Sequence, residues 1–442
     1  MSDYMFMLES HLTGDQYRVV GQVQAAAHDA GLSIFLTGGA MRDITGGFPV
    51  RDLDFTVEGN PAKIVKALVK SAGATVVAED EKKKSTELRF PGGVTAELAM
   101  ARVEKFGKIG SKPQISAGTI HEDLMCRDFT VNAVALSLNK ASLGLLVDPG
   151  NGMGDIERRE LRTLHNYSFY DDPGRLLRLI RFKVRLGYSL DDRTRLQVEN
   201  AMEAGMLDKI SSEALGAELR NLSREANPHD LIKALEEEKL LGLYSPALGA
   251  GKVDYAALMK LQKALQLLPF GVDFPMDQMP LFLSVLFEKL SPKDTAAVVK
   301  AAGLTRAETN ALQKLAPAAK KLEKALQSAK LQKASALYEL LSTTPGEQIL
   351  YLAVHSGQRL VQDRIKNYFA KYMLMAEEVT DDQVVAAGFT KGTPKFTKAK
   401  HDMILKHLDA RPKKVAAPVE APPPPPPMSG FARGSGTRRA NG

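Results

Sequence analysis

The sequence predicts an α+β protein, with a mixed head carrying a small sheet at the N-terminus and an all-helical remainder. Three observations lead there. Short apolar runs bounded by glycine and proline fill the first part of the chain. Apolar residues three and four apart dominate from about Tyr170 onward. No fixed-period repeat is visible, so the helical part is not read as a solenoid.

In the head, expected over residues 12–165, SIFLTGG reads as a strand ending in a turn and DLDFTV as a second strand. PAKIVKALVKSAG follows with helical spacing. TELRF and GVTAELAM, separated by Pro91, Gly92 and Gly93, read as two more strands with a tight connection. From Arg102 to Gly118 the pattern dissolves into EKFGKIGSKPQISAG, which reads as a mobile loop.

DDPGRLLRLIRFKVRLG, ISSEALGAELRNLS, HDLIKALEEEKLL, AALMKLQKALQLL and ASALYELL predict helices. They are divided into a neck over 166–225, a body over 226–320 and a tail over 321–411. Residues 412–442 hold six consecutive prolines, Pro422–Pro427, and then MSGFARGSGTRRANG. Such a segment buries too little apolar area to offset its ordering entropy, so a disordered basic tail is expected there.

Bulk composition narrows the classes. A hydrophobic fraction of 44% and a charged fraction of 25% are those of a chain that packs a core. The net charge of +7 suits a polyanionic partner and equally suits a general basic bias. Cys126 is the only cysteine, so an intrachain disulfide and a cysteine-based zinc site are both excluded. MSDYMFMLESHLTGD lacks the basic start and apolar run of a signal peptide, and no stretch has the length to span a bilayer. A cytoplasmic protein with no membrane and no protein partner is the expectation.

Asp52-Leu53-Asp54 is the chemical centre of the head. Residues two apart on a strand face the same side, so both carboxylates point into one space. Two such carboxylates repel unless a cation sits between them, and hard Mg²⁺ ions, with their oxygen ligands, fit that need. Alone, an Asp-x-Asp strand is a common solvated face. Upstream, LTGGAMRD places Gly38 and Gly39 at a strand end, with Arg42 and Asp43 expected to open a helix. Glycines let backbone approach a triphosphate, and a helix start offers free N–H groups to anionic oxygens. The spacing is neither G-x-G-x-x-G nor a P-loop.

LTGGAMRD and RDLDFTVEGNP resemble the first signature of the class II tRNA nucleotidyltransferases and bacterial poly(A) polymerases, within the polymerase-β-like nucleotidyltransferases. The resemblance implies Asp52 and Asp54 as ligands of two catalytic Mg²⁺ ions. It also implies Glu97, in TAELAMAR, as a third carboxylate that helps to activate the attacking 3′ hydroxyl. On its own Glu97 is equally an exposed strand residue. CRDFTVNA resembles the second signature, in which Arg127 and Asp128 organise the sugar and phosphates and Asn132 lies near the ribose. The family has two adjacent arginines here, and Cys126 stands in place of the first. DPGNGMGDIERRELR keeps Asp148, Pro149, Gly152, Asp155 and Arg162 of a third, structural signature.

In YDDPGRLLRLIRF, Asp172 and Arg175 lie three apart, one helical turn, and are expected on one face. A carboxylate only accepts hydrogen bonds and a guanidinium only donates them. Cytosine and adenine both offer an amine donor beside a ring-nitrogen acceptor, whereas uracil and guanine offer the reverse. One Asp and one Arg thus suffice to select C and A without a template. By themselves the two residues are also a plain surface ion pair. The resemblance assigns them to the incoming base, with Arg178 extending the face. Asp171 replaces the family's usual Glu, and Ala214 replaces an arginine in the next helical motif. Near the end, TDDQVVAAGFTKGTPKFTKAKHDMILKHLDAR resembles the C-terminal element of longer bacterial tRNA nucleotidyltransferases. Lys391, Lys395 and Lys398 stand there as candidate tRNA contacts, or as the solvated face of a helical hairpin.

The resemblance implies addition of C, C and A to the 3′ end of tRNA from CTP and ATP. The basic-aromatic stretch usual in poly(A) polymerases is absent from STELRFPGGVTAEL, and the Arg102–Gly118 segment is fuller than in C-adding enzymes. A-only addition, poly(A) addition and a catalytically silent RNA-binding scaffold are the alternatives. A His…His-Asp…Asp phosphohydrolase set is not present, because His229-Asp230 lacks a nearby upstream His.

Overall fold

A buried apolar strand and, after one short helix, an alternating strand build the centre of the head. In the computed structural model, which describes residues 3–109, 111–269, 272 and 274–410, helices α1 (Asp3–His11) and α2 (Gly14–Ala30) precede strand β1 (Ser33–Thr37). A capping box between Thr13 and Gln16 starts α2. Helix α3 (Gly38–Gly46), strand β2 (Leu53–Glu58) and helix α4 (Ala62–Ser71) come next. Strands β3 (Thr75–Asp80), β4 (Ser85–Arg89) and β5 (Thr95–Met100) complete one side of the sheet. After β6 (Arg102–Lys105), β7 (Gln114–Ala117) and helix α5 (Ile120–Met125), strands β8 (Ala135–Ser137) and β9 (Leu146–Val147) complete the other. Helix α6 (Gly152–Arg158) closes the head.

The seven strands run in the order β3-β4-β5-β2-β1-β8-β9, mixed in direction, with β2 and β5 parallel and the other neighbours antiparallel. Leu53, Phe55 and Val57 enter a core shared with Val19, Val23, Met41, Ile64 and Leu68 of the helices. Asp54, Thr56 and Glu58 consequently occupy the opposite face. That face is covered at one end by α5, where Ile120 and Leu124 pack on Phe35, and the amide of Ile120 donates to Glu58 at 2.8 Å. It stays open at the Asp54 end.

Two features of the head differ from the sequence expectation. The segment from Arg102 to Gly118 is no featureless loop, because β6 and β7 pair as an antiparallel hairpin from Arg102↔Ala117 to Lys105↔Gln114. Its strands are too short and too polar to show period-two alternation. Strand β3 was not foreseen: Val76 and Val77 are about half exposed, and the strand is held at the sheet edge by backbone pairing with β4 alone.

The neck comprises α7 (Ser168–Asp171), α8 (Arg175–Leu186), α9 (Asp192–Glu203) and α10 (Ser212–Ser223), and α11 (Pro228–Glu237) begins the body. Helix α8 buries Leu176, Leu177, Leu179 and Ile180 and stops at Gly187, whose φ of +66° is easy only for glycine. One apolar cluster runs from Leu177 through Leu219, Leu283, Leu322 and Leu350 to Met373. The expected boundary at 320/321 falls inside the helix Arg306–Leu326, so neck, body and the first part of the tail share a core. Among the described residues, no helix is long and apolar enough to cross a membrane. The expected disordered tail at 412–442 lies outside the described residues.

Candidate active site

The carboxylates form a row across the sheet. Asp54 on β2 lies in register with Glu97 on β5, and Glu97 with Glu87 on β4, so the three side chains share one face. Asp52, just before β2, is exposed on that face, and the hydroxyl of Thr95 donates to it. The amide of Gly39 donates to Asp54 Oδ2 at 3.1 Å. Burial, and then repulsion from Glu97 and Asp52, lifts the Asp54 carboxyl to about 7, against the pull of Arg127 and Arg42. Among the described residues, no three His, Cys, Asp or Glu side chains gather closely enough to hold a metal by themselves. Two carboxylates that leave room for water and substrate oxygens are nevertheless what Mg²⁺-like cations accept, and the uncompensated charge on Asp54 fits such a cation.

Gly38 and Gly39 abut this row. Helix α3 begins at Gly38 itself, with φ +63°, and not at Arg42. A Cβ on Gly38 would lie 2.8 Å from Arg127 Nη1 and 3.3 Å from Asp54 Oδ2. Gly38→Ala is therefore expected to displace both groups and slow nucleotide transfer by about 10–100-fold, since a misplacement near 1 Å costs about that much. Single-turnover incorporation, with a thermal melt to verify the fold, measures it.

Arg42 does not face the open cleft. One turn into α3 and 2% exposed, it donates to Asp43 Oδ1 at 2.9 and 2.7 Å and to Asn132 Oδ1 at 2.6 Å. Asn132 in turn donates to Asp128 Oδ1 at 2.9 Å. Arg127 is clamped by Asp123 at 2.9 Å and also reaches Thr56, Thr37 and the Asn132 carbonyl. Burial acts upward on the Asp128 carboxyl, but Arg178, the Asn132 amide and Arg175 outweigh it and hold Asp128 below the usual carboxylate range. Behind this shell the third signature is structural. Asp148 accepts from the amides that start α6, and Asp155, fully buried, accepts from Thr130 and Arg162.

Asp172 and Arg175 are brought together, though not on one helical face. Asp172 lies in the bend before α8 with extended backbone, and its Oδ1 accepts from the Gly174 amide at 3.0 Å. Its Oδ2 pairs with Arg178, which also approaches Asp128 at 3.4 Å. Arg175 is 3% exposed; its Nη1 donates to Ser168 and its Nη2 to the Cys126 carbonyl, each at 2.8 Å. Its Nε lies 3.8 Å from Asp172 and is the buried side-chain nitrogen left without a hydrogen-bond partner among the described residues. Cys126 thus serves through its backbone, while its thiol accepts from the Glu104 amide of the β6–β7 hairpin at 3.4 Å. A Cβ on Gly174 would come 3.1 Å from Ala214, so that small side chain borders the same bend.

The C-terminal lysines are distributed differently. Lys391 and Lys400 both bind Asp381, at 2.7 and 2.8 Å. Lys395 and Lys398 are exposed on the helix Pro394–Asp409, which buries Phe396 and Ala399.

Several participants escaped the sequence reading. Asp123 and Thr95 orient Arg127 and Asp52, and no local pattern marks either. Glu225, 3% exposed, accepts from Arg51 at 2.9 Å and from Arg181 at 3.4 Å, and lies 3.8 Å from Arg185. Arg185 also binds Asp43 at 2.8 Å. The arginines at 175, 178, 181 and 185, spaced three and four apart on α8, were the available signal for this head–neck junction.

Residues 34–162 match the family described as the poly A polymerase head domain. The chain is 33% identical over 250 residues to an A-adding tRNA nucleotidyltransferase of Halalkalibacterium halodurans, covering 55% of this chain and 58% of that one. It is 36% identical over 201 residues to a CC-adding tRNA nucleotidyltransferase of Deinococcus radiodurans, covering 46% and 52%. The matches span between 25% and 59% of the length of the curated relatives. A solved CCA-adding enzyme in an apo form has the same fold, with a TM-score of 0.54, 23% identity, and coverage of 94% of this chain and 96% of that one.

Proposed function

We propose that this chain, whose residues 34–162 match the poly A polymerase head domain, adds C, C and then A to the 3′ end of tRNA. CTP and ATP are the donors and pyrophosphate leaves. The reading rests on one continuous polar network. It runs from the Asp54 carbonyl through the Thr37 hydroxyl to Arg127, on by way of Asn132 to Asp128, and through Arg178 to Asp172. A site for phosphate chemistry and a site for a base edge are thereby braced against each other.

Asp52 and Asp54 would hold the divalent cations, Mg²⁺ in this reading. Bound there, such ions supply charge neutralisation and a lowered pKa for the attacking hydroxyl. Gly38 and Gly39 leave room for the triphosphate, and the α3 N-terminus offers it amides. Glu97, in register with Asp54, faces the RNA hydroxyl that attacks the α-phosphate in line. Asp172 would accept from the exocyclic amine of C or A and Arg175 would donate to the ring nitrogen; because Arg175 Nε is buried, the base reaches it only after the bend at residues 172–174 moves. Uracil and guanine would set donor against donor and acceptor against acceptor. Lys395 and Lys398 would meet tRNA phosphates.

A second reading, A-only addition, is favoured by the likeness to an A-adding relative. Purified protein with Mg²⁺ and tRNAs ending before CCA, after C and after CC, given each triphosphate singly and then together, separates them on a sizing gel. Two C and one A with U and G refused is the expected result. A added only to the CC end would replace the proposal by the second reading. Long A tails would point to poly(A) addition, and no incorporation to a silent scaffold.

A further inference from the structure

The catalytic cleft has one wall that the nucleotide reading leaves unused. Beside Asp52, Asp54 and Glu97 it is lined by Glu79, Asp80 and Glu87 of β3 and β4, and by a single base, Arg224. Arg224 comes from the neck, at the end of α10. Its placement follows from its neighbour in sequence: Glu225 is buried and binds Arg51, the residue that precedes Asp52. The pairs Arg51-Asp52 and Arg224-Glu225 are thus locked side by side, leaving Arg224 directed at the cleft. Its side chain is exposed, and among the described residues it makes no hydrogen bond or ion pair.

The side of the cleft matters. Along the sheet, β1 with its glycine turn lies on one flank of β2, and β5, β4 and β3 lie on the other. The triphosphate cradle of Gly38, Gly39 and Arg127 is on the first flank. Arg224 is on the second, with Glu97. An RNA end reaching Glu97 must carry its last phosphodiester past Glu79, Asp80 and Glu87, which repel it. A guanidinium offers bidentate donors to a phosphate and brings a positive charge into the lining of the cleft itself.

We propose that Arg224 is the contact through which the neck holds the terminal phosphodiester of the accepting RNA beside the catalytic carboxylates. The inference rests on the function proposed above and adds a residue, an element and a side of the cleft to it. Its selectivity is for phosphate in the RNA strand; the other phosphate source in the site is the triphosphate.

Arg224→Ala and Arg224→Lys would be compared with the unaltered protein in two assays. The first is equilibrium binding of a tRNA ending in CC, without triphosphate, across a salt series. The second is steady-state addition of one A, with KM measured separately for tRNA and ATP. Arg224→Ala is expected to weaken tRNA binding about tenfold and to flatten the salt slope by about 0.7, the loss of one single-strand phosphate contact. KM for tRNA rises in step, KM for ATP stays within about twofold, and Arg224→Lys recovers much of the loss, because a point charge still meets a phosphate. A rise in KM for ATP alone would assign the arginine to the triphosphate and overturn the proposal. Unchanged binding and unchanged KM values would leave it a solvated surface arginine. Should the unaltered protein incorporate nothing, the function proposed above fails, and the binding series still decides the role of Arg224.

Discussion

Asp54→Asn is expected to reduce nucleotide incorporation by on the order of 10³-fold or more while stabilising the metal-free protein, the removal of a cation ligand at the reacting phosphate being worth several kcal/mol. The two effects share a cause. Folding places Asp54 beside Asp52 and Glu97 and pushes its carboxyl to about 7, above the ordinary value of 3.8. A raised carboxyl favours the neutral form in the folded state, so stability is full below the ordinary value and falls as pH climbs from there through about 7. Above that pH the folded chain carries an ionised, poorly compensated carboxylate. The amide removes it and keeps an oxygen for the Gly39 N–H. At pH 8 without divalent ions the variant should melt higher by about 2–4 °C, a gain near 1 kcal/mol after allowing for partial exposure. Melts at pH 4, close to the ordinary carboxyl value, should differ little between the two proteins. Added Mg²⁺ should raise the melting temperature of the parent and not of the variant. A variant that melts lower at every pH would show that Asp54 is held by contacts worth more than its charge costs.

Asp172→Ala is expected to leave nucleotide addition running but unselective. In the function proposed above, the Asp172 carboxylate accepts from the amine of C or A, and it would place an acceptor against the carbonyl of U or G. Without it the rejection of U and G should relax by about 10²-fold, in the range seen when a site loses a mispaired polar group. The fold should survive, because Arg178 keeps Asp128 as a partner. The measurement is kcat/KM for each of the four triphosphates, supplied singly with a CC-ended tRNA. Unchanged ratios at wild-type rates would remove Asp172 from base selection.

Local chemistry decided how much of this could be read in advance. Strand β1 was visible as a short apolar run ended by glycines, and β2, β4 and β5 because each alternates between a buried and a more open face, an alternation that also placed Asp52 and Asp54 on one side. The edge strand β3 has no buried side to write a pattern with, and the β6–β7 hairpin hides among glycine and lysine. At the site, residue types pointed to Asp172 and Arg175. The helical-turn argument nevertheless misplaced them, since Pro173 and Gly174 delay the helix and make Arg178 the partner of Asp172. Arg42 illustrates a different limit. A sequence shows that an arginine follows a glycine turn, not that Asp43 and Asn132 will occupy its donors. Glu225 and Arg224 depend on a meeting of residues more than a hundred positions apart, which no spacing within the neck foretells.

The continuous core from Leu177 to Met373 also bears on how such chains exchange parts. A crossover at 225/226 or at 320/321 would join halves of one packed interior taken from different parents, with every mismatched methylene felt as strain or void. A smaller cluster around Ala376, Val379, Ile404 and Leu408 lies beyond Met373 and packs against Ala334, Tyr338 and Tyr372 on the near side. Chimeras spliced there leave the larger interior whole and put at risk only this smaller seam and the Ser335–Asp409 hydrogen bonds, so the lysine-bearing end is the part of this fold more open to being traded.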